Sequence, residues 1–537
     1  MDTCARIGRR RLLHATGMAG LTLGMAPLLP AAAATDGAGQ PSGSAPSAAE
    51  PSGRAGDRMI AELGAGQVVA AIRDGELNAE DYVGVLLRRA EALKELNACI
   101  SVNADEALQA ARNIDQARAA GRSLPPLAGL PLLVKDNIDN AGHPTAAGTW
   151  ALRDFRPTDT APVLKILLAK GAIVLAKTNM HELALGTTSS NAAFGFVQNP
   201  YDRRRVPGGS SGGSAAALAA RIGPAALGSD TGGSVRIPAS FCGGAALRPS
   251  VGNGGAERRY PAGGVAPISH TRDTVGPMAR TMADVALLDA GIVGSPPAAP
   301  ADLRGVVLAL PRKYFWENLD DEVARICQEA VERLRDVGVR FVEADLDGVP
   351  EANAPAAFPI ALYEIGQDFP AYLAASGGNM TWADVQAQVK SPDVQGALAA
   401  ARGVTREAYE RAMQVYRPRM QRLYADYFRR LGVDGTIFPT VPVPAPLIDP
   451  SFSGAISING KPQPGGPAAE FSVTIRNTDA DSVAGIPGIS VPAGMTRSGL
   501  PVGVELDGPL GSDARLLSIG LAVEAVLGPA PPPPGIG

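Results

Sequence analysis

The glycine- and serine-rich stretch from residue 208 to residue 238 decides the architecture of this chain. It begins Gly208-Gly-Ser-Ser-Gly-Gly-Ser214 and, after an alanine-rich segment, continues Gly228-Ser-Asp-Thr-Gly-Gly-Ser-Val-Arg-Ile-Pro238. Paired glycines precede both Ser210 and Ser234, which lets backbone N–H groups come close to a ligand and point at one atom. The alanine-rich segment between the two runs is typical of packed helix and strand. We therefore interpret the region as an ordered site and not as a flexible linker.

Three templates can be compared with this stretch. A phosphate-binding P-loop needs Gly-x4-Gly-Lys-Ser/Thr, and no Lys follows either glycine cluster. Residues 208–212 match the Gly-x-Ser-x-Gly nucleophile elbow, but the residues before them are loop-like and His270 is the only His that follows. A serine paired with a buried lysine needs no His, and Lys135 ends the apolar run 130–134, which we predict to be a buried strand. The Ser–Lys chemistry is favoured.

Three separated motifs make the chain resemble the amidase signature hydrolases. They are Gly129-Leu-Pro-Leu-Leu-Val-Lys135-Asp-Asn, Pro207-Gly-Gly-Ser210-Ser-Gly-Gly-Ser and Gly228-Ser-Asp-Thr-Gly-Gly-Ser234-Val-Arg-Ile-Pro238. A looser resemblance extends from Ala61 to Leu527. The resemblance implies that Lys135 is a base, that Ser210 is a bridging serine preceded by a cis peptide, and that Ser234 is the acylated nucleophile.

The same resemblance implies roles for the residues around this triad. It assigns the oxyanion hole to the backbone N–H groups of Thr231, Gly232, Gly233 and Ser234. We expect Ser211 to hydrogen-bond Lys135. Asp230 and Arg236 are expected to brace the turn and not to react, because a buried charge needs a partner. The chain departs from the family at Ala246 and Arg248, where Gly and Lys are more frequent.

The order of predicted elements indicates an α/β fold. Strand 130–134, helix 162–170 and strand 172–176 alternate, and residues 304–343 repeat the pattern. We predict a single large domain with a central mixed, largely parallel β-sheet covered by helices on both faces, which is the fold that the resemblance implies. Residues 352–431 are predicted to be helical, with a break or kink at Pro418, and the resemblance implies that they lie over the pocket.

Composition and the chain ends predict the remaining segments. Arg9-Arg10, an apolar stretch and an Ala-rich end describe a twin-arginine signal peptide over residues 1–34, which predicts export to the periplasm. Residues 35–57 read as a disordered linker, 58–528 as the amidase domain and 529–537 as a Pro-rich tail. Apart from the leader, no stretch is long enough to span a bilayer, and stable membrane insertion is not expected.

Charge and the counts of Cys and His exclude several classes of protein. Residues 1–34 carry four Arg and one Asp, which leaves a net charge of −7 for the rest of the chain and no electrostatic footprint for nucleic acid. The four Cys and four His are widely separated, so we predict no disulfide framework, no metal site and no cofactor. The expected partner is a small-molecule amide, and a homodimer is compatible with the sequence.

Similarity of two further segments to one branch of the family implies the substrate class. Residues 179–186 and 269–280 look most like the indoleacetamide and mandelamide hydrolase branch, which implies a small primary amide and is compatible with an aryl substituent. One alternative is the glutaminase-type subunit of the tRNA-dependent amidotransferase, although an exported enzyme would not meet charged tRNA. The other is a periplasmic binding protein on the same fold without activity. Lys135, Ser210 and Ser234 are all present, which argues against a protein without catalytic activity.

Overall fold

The structure is a computed structural model, and it describes residues 52–377 and 380–536. The chain divides into two units, Met1–Asp57 and Arg58–Gly537, and the account below concerns the second. The predicted signal peptide and residues 35–51 of the predicted linker lie outside the described residues.

The strands of the described residues are short and mostly buried. In chain order they are Cys99–Val102 (β1), Pro131–Lys135 (β2), Ile173–Thr178 (β3), Ala225–Asp230 (β4), Ala245–Arg248 (β5), Thr274–Ala279 (β6), Val307–Leu310 (β7), Arg340–Glu343 (β8), Gly435–Pro439 (β9), Ser457–Ile458 (β10), Lys461–Pro462 (β11), Gly488–Met495 (β12) and Pro501–Asp507 (β13). Strands β10 and β11 form a separate two-stranded pair.

The α-helices of the described residues cover the sheet and the site. They are Ser52–Ala61 (α1), Ala65–Arg73 (α2), Ala79–Ala92 (α3), Ala104–Ala119 (α4), Pro162–Ala169 (α5), Gly212–Ala219 (α6), Arg236–Phe241 (α7), Met282–Val293 (α8), Asp321–Asp336 (α9), Val349–Ala375 (α10), Trp382–Ala387 (α11), Pro392–Ala401 (α12), Arg406–Arg411 (α13), Arg417–Leu431 (α14), Ala469–Ala484 (α15) and Asp513–Leu527 (α16).

One mixed sheet organises the described part of the chain. Its strand order is β1-β3-β2-β4-β6-β5-β12-β13-β9-β7-β8. The pairs β2/β3, β2/β4, β7/β8 and β7/β9 are parallel, and the pairs between β4 and β9 through the middle of the sheet are antiparallel. The predicted α/β class and mixed sheet are confirmed. The expectation of a largely parallel sheet is wrong, because six of the ten strand pairs in this sheet, β1/β3 and the five pairs from β4 to β9, are antiparallel.

The parallel part of the sheet positions the candidate functional site. Strands β2, β3 and β4 are neighbours that run in one direction, so their carboxyl ends lie at the same edge. Lys135 is the last residue of β2 and Asp230 the last residue of β4. Helix α6 starts two residues after Ser210, directly behind this edge. Ligand sites in open α/β sheets lie beyond the carboxyl ends of parallel strands, so this edge is where a site is expected.

The helical region 352–431 agrees with the expectation from the sequence. Pro418 lies in the first turn of α14, which a five-residue π-helix, Ala412–Tyr416, precedes. Proline is tolerated in a first turn because its missing N–H would have no partner within the helix. The predicted break at Pro418 therefore appears as a change of helix type and not as a loop.

The Pro-rich segment 529–536 has no regular helix or strand, yet it contacts the body of the domain. The Tyr201 hydroxyl donates a 2.7 Å hydrogen bond to the Pro531 carbonyl, and the Ile536 side chain is buried in a hydrophobic cluster. Among the described residues, no helix combines the length and hydropathy that a bilayer span requires.

Candidate active site

Lys135 ends β2 in a fully buried position. Its Nζ lies 2.7 Å from Ser210 Oγ and 2.9 Å from Ser229 Oγ, with the Ser229 carbonyl at 3.4 Å. Within the described residues, no salt bridge links this amine to a carboxylate. The environment of Nζ is therefore a set of neutral oxygen atoms in a dry interior.

This environment changes the protonation state of the amine. Burial lowers the pKa of Lys135 from its usual value to about 7, although the carboxylates of Asp230 and Asp273 act in the opposite direction. Desolvation penalises the charged form of a buried lysine, and no close counter-charge compensates here. A substantial share of the amine is therefore neutral near pH 7 and able to accept a proton.

Two adjacent serines begin the segment that faces Lys135, and only one of them contacts it. The peptide bond between Gly209 and Ser210 is cis, as the family resemblance implied. The expected contact of Ser211 with Lys135 is wrong, because Ser211 Oγ donates to the Ser229 carbonyl at 3.2 Å. The second hydroxyl beside the amine belongs to Ser229.

Ser229 was missed by the sequence analysis, and so was its partner Asn137. Asn137 Nδ2 donates a 3.0 Å hydrogen bond to Ser229 Oγ, which fixes that hydroxyl beside Lys135. Both residues lie within the motifs that carry the family resemblance, and Ser229 is the penultimate residue of β4. The position of Ser229 next to the end of β4 could have indicated this contact. Because β2 and β4 pair in parallel, their carboxyl ends bring Lys135 and Ser229 close together.

Ser234 lies in the loop between β4 and α7 and lines a cavity. Its carbonyl accepts the N–H of Ser211 at 3.1 Å, which ties the two serine runs together. No hydrogen bond links the side chains of Ser210 and Ser234 among the described residues. The structure thus places the three predicted catalytic residues in one region but shows direct side-chain contact only between Lys135 and Ser210.

The loop before Ser234 presents backbone N–H groups to this cavity. Gly233 N–H is already engaged, since it donates to Asp230 Oδ1 at 2.8 Å. The N–H groups of Thr231, Gly232 and Ser234 donate to no described residue. Three of the four donors predicted for the oxyanion hole are therefore free, and the Gly233 N–H instead holds the loop in shape.

The glycines of this loop are required by close packing. Gly233 has φ of 123°, and a Cβ at this position would lie 2.0 Å from Thr478 Oγ1. A Cβ on Gly232 would lie 2.9 Å from Ile475 Cδ1. Helix α15 thus packs directly against the backbone of the loop, which explains why the sequence has paired glycines before Ser234.

Two buried arginines hold Asp230, the last residue of β4. Arg236 donates to both Asp230 oxygens at 3.2 Å, and Arg248 donates to Asp230 Oδ1 at 2.9 Å. Burial on its own would raise the pKa of Asp230, but Arg236 and Arg248 lower it well below its usual range. The carboxylate in turn accepts the N–H groups of Gly233 and Val235. The bracing contacts expected for Asp230 and Arg236 are present, and Arg248 takes part in them despite its departure from the family pattern.

A cavity of about 550 Å³ opens in front of Ser234. The β4–α7 loop, α10, α12 and the segment before α15 contribute to its wall, so the helical region does lie over the pocket. Most of the wall is apolar, including Leu185, Ile268, Phe358, Leu362, Phe452 and Phe471. The cavity is suited to an apolar group of the size of an aromatic ring system.

Two histidines lie in the segments 179–186 and 269–280 that carry the finer similarity, and each contacts a carboxylate. His181 is buried in the cavity wall, with Nδ1 accepting the Ser189 N–H at 3.2 Å and Nε2 lying 2.9 Å from Asp393 Oδ2. His270 is more than half exposed and lies 2.9 Å from Asp368 Oδ2. The His181 backbone N–H donates to the Ser210 carbonyl at 3.1 Å. Neither imidazole hydrogen-bonds the hydroxyl of Ser210 or Ser234 among the described residues, so a histidine-based nucleophile elbow has no geometric support.

The fold and this site define an amide-hydrolysing enzyme. Residues 81–517 match the family model described as Amidase, so the chain belongs to the amidase family. The confirmed family membership makes it a hydrolase that acts on amide C–N bonds.

Two curated relatives show where the chain lies within the family. It is 39% identical to an indoleacetamide hydrolase of Agrobacterium vitis over 473 residues, covering 87% of this chain and 98% of the relative. It is 38% identical to a mandelamide hydrolase of Pseudomonas putida, covering 88% of this chain and 93% of that one. The solved structure of native peptide amidase from Stenotrophomonas maltophilia has a TM-score of 0.75 and 29% identity, over 88% of this chain and 99% of that one. The predicted similarity to the indoleacetamide and mandelamide hydrolase branch is confirmed.

Proposed function

We propose that this amidase hydrolyses a small aryl-substituted primary amide to a carboxylic acid and ammonia through a Ser234–Ser210–Lys135 triad. The observation that carries the proposal is the 2.7 Å approach of the buried, unpaired Lys135 amine to Ser210 Oγ. A lysine with a pKa of about 7 can act as a base at neutral pH, which no other described group beside the two serines offers.

In the first half of the reaction, neutral Lys135 accepts the proton of Ser210, and Ser210 accepts the proton of Ser234. Ser234 Oγ then forms a bond to the amide carbonyl carbon, and the carbonyl oxygen gains negative charge. The N–H groups of Thr231, Gly232 and Ser234, which donate to no described residue, would stabilise that oxygen. Loss of one such donor costs about 10²–10³ in rate in general.

In the second half, the C–N bond breaks and the proton returns through Ser210 to the leaving ammonia. The product is an ester between the acyl group and Ser234 Oγ. Water then attacks this acyl-enzyme, again with Lys135 and Ser210 accepting its proton, and Ser234 is protonated as the acid leaves. Each proton that Lys135 accepts is returned within the same half-reaction, so no cofactor is needed for balance.

The substrate class is proposed from the cavity and from the relatives. Phe358, Phe452 and Phe471 are aromatic members of an apolar wall. The relatives are named for indoleacetamide and mandelamide, each a primary amide of an aryl-bearing acid. An apolar wall at one side of Ser234 suits the aryl group, and ammonia is the leaving group of a primary amide.

The test uses purified enzyme and a panel of primary amides, anilides, peptide amides and esters, with ammonia or amine release as the readout. Aryl-acetic primary amides should be turned over fastest. Ser234→Ala should abolish both turnover and covalent labelling by a fluorophosphonate, whereas Ser210→Ala should retain slow turnover. Labelling of Ser210 in the Ser234→Ala enzyme, located by mass spectrometry, would contradict the assignment of the nucleophile.

We also propose that the enzyme is exported to the periplasm by the twin-arginine route. The proposal rests on the sequence of residues 1–34, with Arg9-Arg10 before an apolar stretch. Replacement of both arginines by Lys should leave the protein in the cytoplasm with its leader uncleaved. Unchanged recovery from the periplasm would contradict this route.

A further inference from the structure

A group of three buried carboxylates lies behind the catalytic loop. Asp481 belongs to α15, and Glu505 and Asp507 lie two residues apart near the end of β13. All three side chains have no exposed surface, and one carboxylate oxygen from each lies within 4.8 Å of the others. Three carboxylates this close in a dry interior repel one another unless a cation or protons are shared among them.

The charges around this group do not balance. The buried carboxylates of Asp230, Asp481, Glu505 and Asp507 face two buried guanidinium groups, Arg236 and Arg248. If all of these groups are ionised, the cluster carries two more negative than positive charges. An uncompensated buried charge costs several kcal/mol, so the excess requires a partner. One divalent cation would neutralise it.

The oxygen atoms that remain are those that a cation would use. Arg236 Nη1 donates hydrogen bonds to Asp481 Oδ2 at 2.7 Å and to Glu505 Oε1 at 2.6 Å. The opposite oxygens, Asp481 Oδ1 and Glu505 Oε2, have no hydrogen-bond partner among the described residues, and neither oxygen of Asp507 has one. Buried polar atoms normally find partners, so four orphaned carboxylate oxygens in one place indicate a missing ligand.

Uncharged polar groups next to the carboxylates independently indicate a missing ligand. Thr436 on β9 lies directly opposite Asp507 in the sheet, on the same face, and its fully buried hydroxyl has no partner among the described residues. The buried Tyr424 hydroxyl is also without one. The Tyr424 hydroxyl lies close enough to the carboxylates of Asp507 and Asp481 to interact with them electrostatically.

On the other side of Asp507, the neighbouring strand has a glycine. Gly488 on β12 is the residue paired with Asp507. A Cβ at this position would lie 2.9 Å from Asp507 Oδ1 and Glu505 Oε1 and 3.0 Å from Arg236 Nη1. A glycine here keeps side-chain atoms out of the carboxylate group, and its backbone does not require a positive φ.

We propose that Asp481, Glu505 and Asp507 bind one divalent cation, Ca²⁺ or Mg²⁺, between β13 and α15. All donors are oxygen atoms and most are charged, which suits hard cations and not zinc or copper. Thr436 and Tyr424 lie at the edge of the group as further oxygen donors. The sequence analysis predicted no metal site because it searched for clustered His and Cys, whereas these ligands are carboxylates from two separated segments.

The cation has a structural role behind the site. It shares Asp481 and Glu505 with Arg236, and Arg236 holds Asp230, whose carboxylate accepts the N–H groups on either side of Ser234. Loss of the cation would leave two carboxylates to be protonated or to repel, and Arg236 would shift toward them. We therefore expect the cation to stabilise the fold and to position the oxyanion loop without contacting substrate.

The experiment measures metal content and thermal stability of the full chain. Protein equilibrated with millimolar CaCl₂ or MgCl₂ and then gel-filtered in metal-free buffer should retain about one ion per chain by inductively coupled plasma mass spectrometry. Chelation with EDTA should lower the Tm by about 2 °C or more, and CaCl₂ or MgCl₂ should restore it. The salt that restores the Tm at lower concentration identifies the preferred ion.

Three variants locate the ion. Asp507→Asn removes a ligand charge, and Gly488→Ala places a methyl group beside two ligands; both should lose the ion and the EDTA-dependent Tm shift. Glu364→Gln is the matched control. Glu364 is a buried carboxylate in the acidic group His270–Glu364–Asp368, but its oxygens accept hydrogen bonds from Ser269, Thr271 and Tyr409. This variant should retain the ion.

Two results would overturn the proposal. Wild-type protein that retains no metal and shows no Tm change with EDTA, CaCl₂ or MgCl₂ would mean that the carboxyl groups are neutralised by protons. Metal that is retained equally by Asp507→Asn and Gly488→Ala would mean that it binds elsewhere. If Asp507→Asn does not fold, Gly488→Ala and the wild-type measurements decide between these outcomes.

Discussion

Lys135 and Lys177 are buried lysines on neighbouring parallel strands, and their surroundings differ in one respect. Both side chains are fully buried, and Lys177 lies opposite Val134, one residue before Lys135. Lys177 Nζ lies 3.0 Å from Thr145 Oγ1 and 3.8 Å from the Asp136 carboxylate. Lys135 Nζ has two serine hydroxyls at similar distances and no carboxylate.

The difference teaches what makes a buried lysine reactive. Burial lowers the pKa of both amines, and carboxylates oppose this at both: Asp136 and Asp139 for Lys177, and the more distant Asp230 and Asp273, which form no salt bridge with it, for Lys135. Asp136 in turn is buried, which raises its pKa to about 6, with Lys177 acting to lower it. A carboxylate within 4 Å favours the charged form of a buried amine, whereas neutral hydroxyl oxygens favour it less. The partner, and not the depth of burial, separates the structural lysine from the proposed base.

The largest expected effect is on the rate. Lys135→Ala should lower kcat/KM by about 10²–10⁴-fold, the usual contribution of a general base. Initial rates with an aryl-acetic primary amide measure it. His270→Ala is the control and should keep near-normal activity, because His270 is exposed and hydrogen-bonds neither serine. A severe loss in His270→Ala together with a normal Lys135→Ala enzyme would contradict the triad.

The second effect is on stability and should appear at the other lysine. Lys177→Met leaves the Asp136 carboxylate buried without its cation, so the free energy of unfolding should fall by about 3–5 kcal/mol. Lys135→Met removes an amine that has no ionic partner, and its free energy of unfolding should equal or exceed that of wild type. Urea unfolding at pH 8 compares the two. Equal losses in both variants would remove the distinction between the lysines.

The pH dependence sharpens the same comparison. The base form of Lys135 is the neutral amine, which prevails above its pKa of about 7. Therefore kcat/KM should rise about tenfold per pH unit below pH 7 and level off above it, without a fall in the mildly alkaline range. A profile measured from pH 5 to pH 9 on one substrate tests this. An acidic limb centred near pH 4 or 5 would assign it to a carboxyl group instead.

The smallest expected effect separates the two serines around Lys135. Ser229→Ala removes a hydroxyl 2.9 Å from Nζ and should lower kcat/KM by about tenfold, which corresponds to one hydrogen bond to a reacting group. Ser211→Ala removes only a bond to a carbonyl and should cost less in rate. Both enzymes are assayed with the same amide. A greater loss in Ser211→Ala would mean that Ser211, as first predicted, is the closer partner of Lys135.

Local sequence predicted the bounds of helices and strands well, and it predicted strand pairing and side-chain contacts less well. Strand Pro131–Lys135, helix Pro162–Ala169 and strand Ile173–Thr178 lie within two residues of the predicted bounds, because apolar patterns and caps are local signals. The largely parallel sheet was wrong, because alternation along the chain does not say which strand pairs with which. Ser211 was placed next to Lys135 for a similar reason. Two adjacent serines point in different directions once the backbone is folded.

By itself, the sequence determined the family, the reaction class and the residues Lys135, Ser210 and Ser234 as the candidates for catalysis. Motifs with fixed spacing carry this information, since the glycines around each serine allow few backbone paths. Only the tertiary structure decided that Ser229 and not Ser211 lies beside the amine, and that Asp136 accompanies Lys177 but not Lys135. It also brought Asp481, Glu505 and Asp507 into one cluster. These relations depend on distances between segments far apart in the chain. Burial then determines how strongly the charges at these distances interact and how far the pKa values shift.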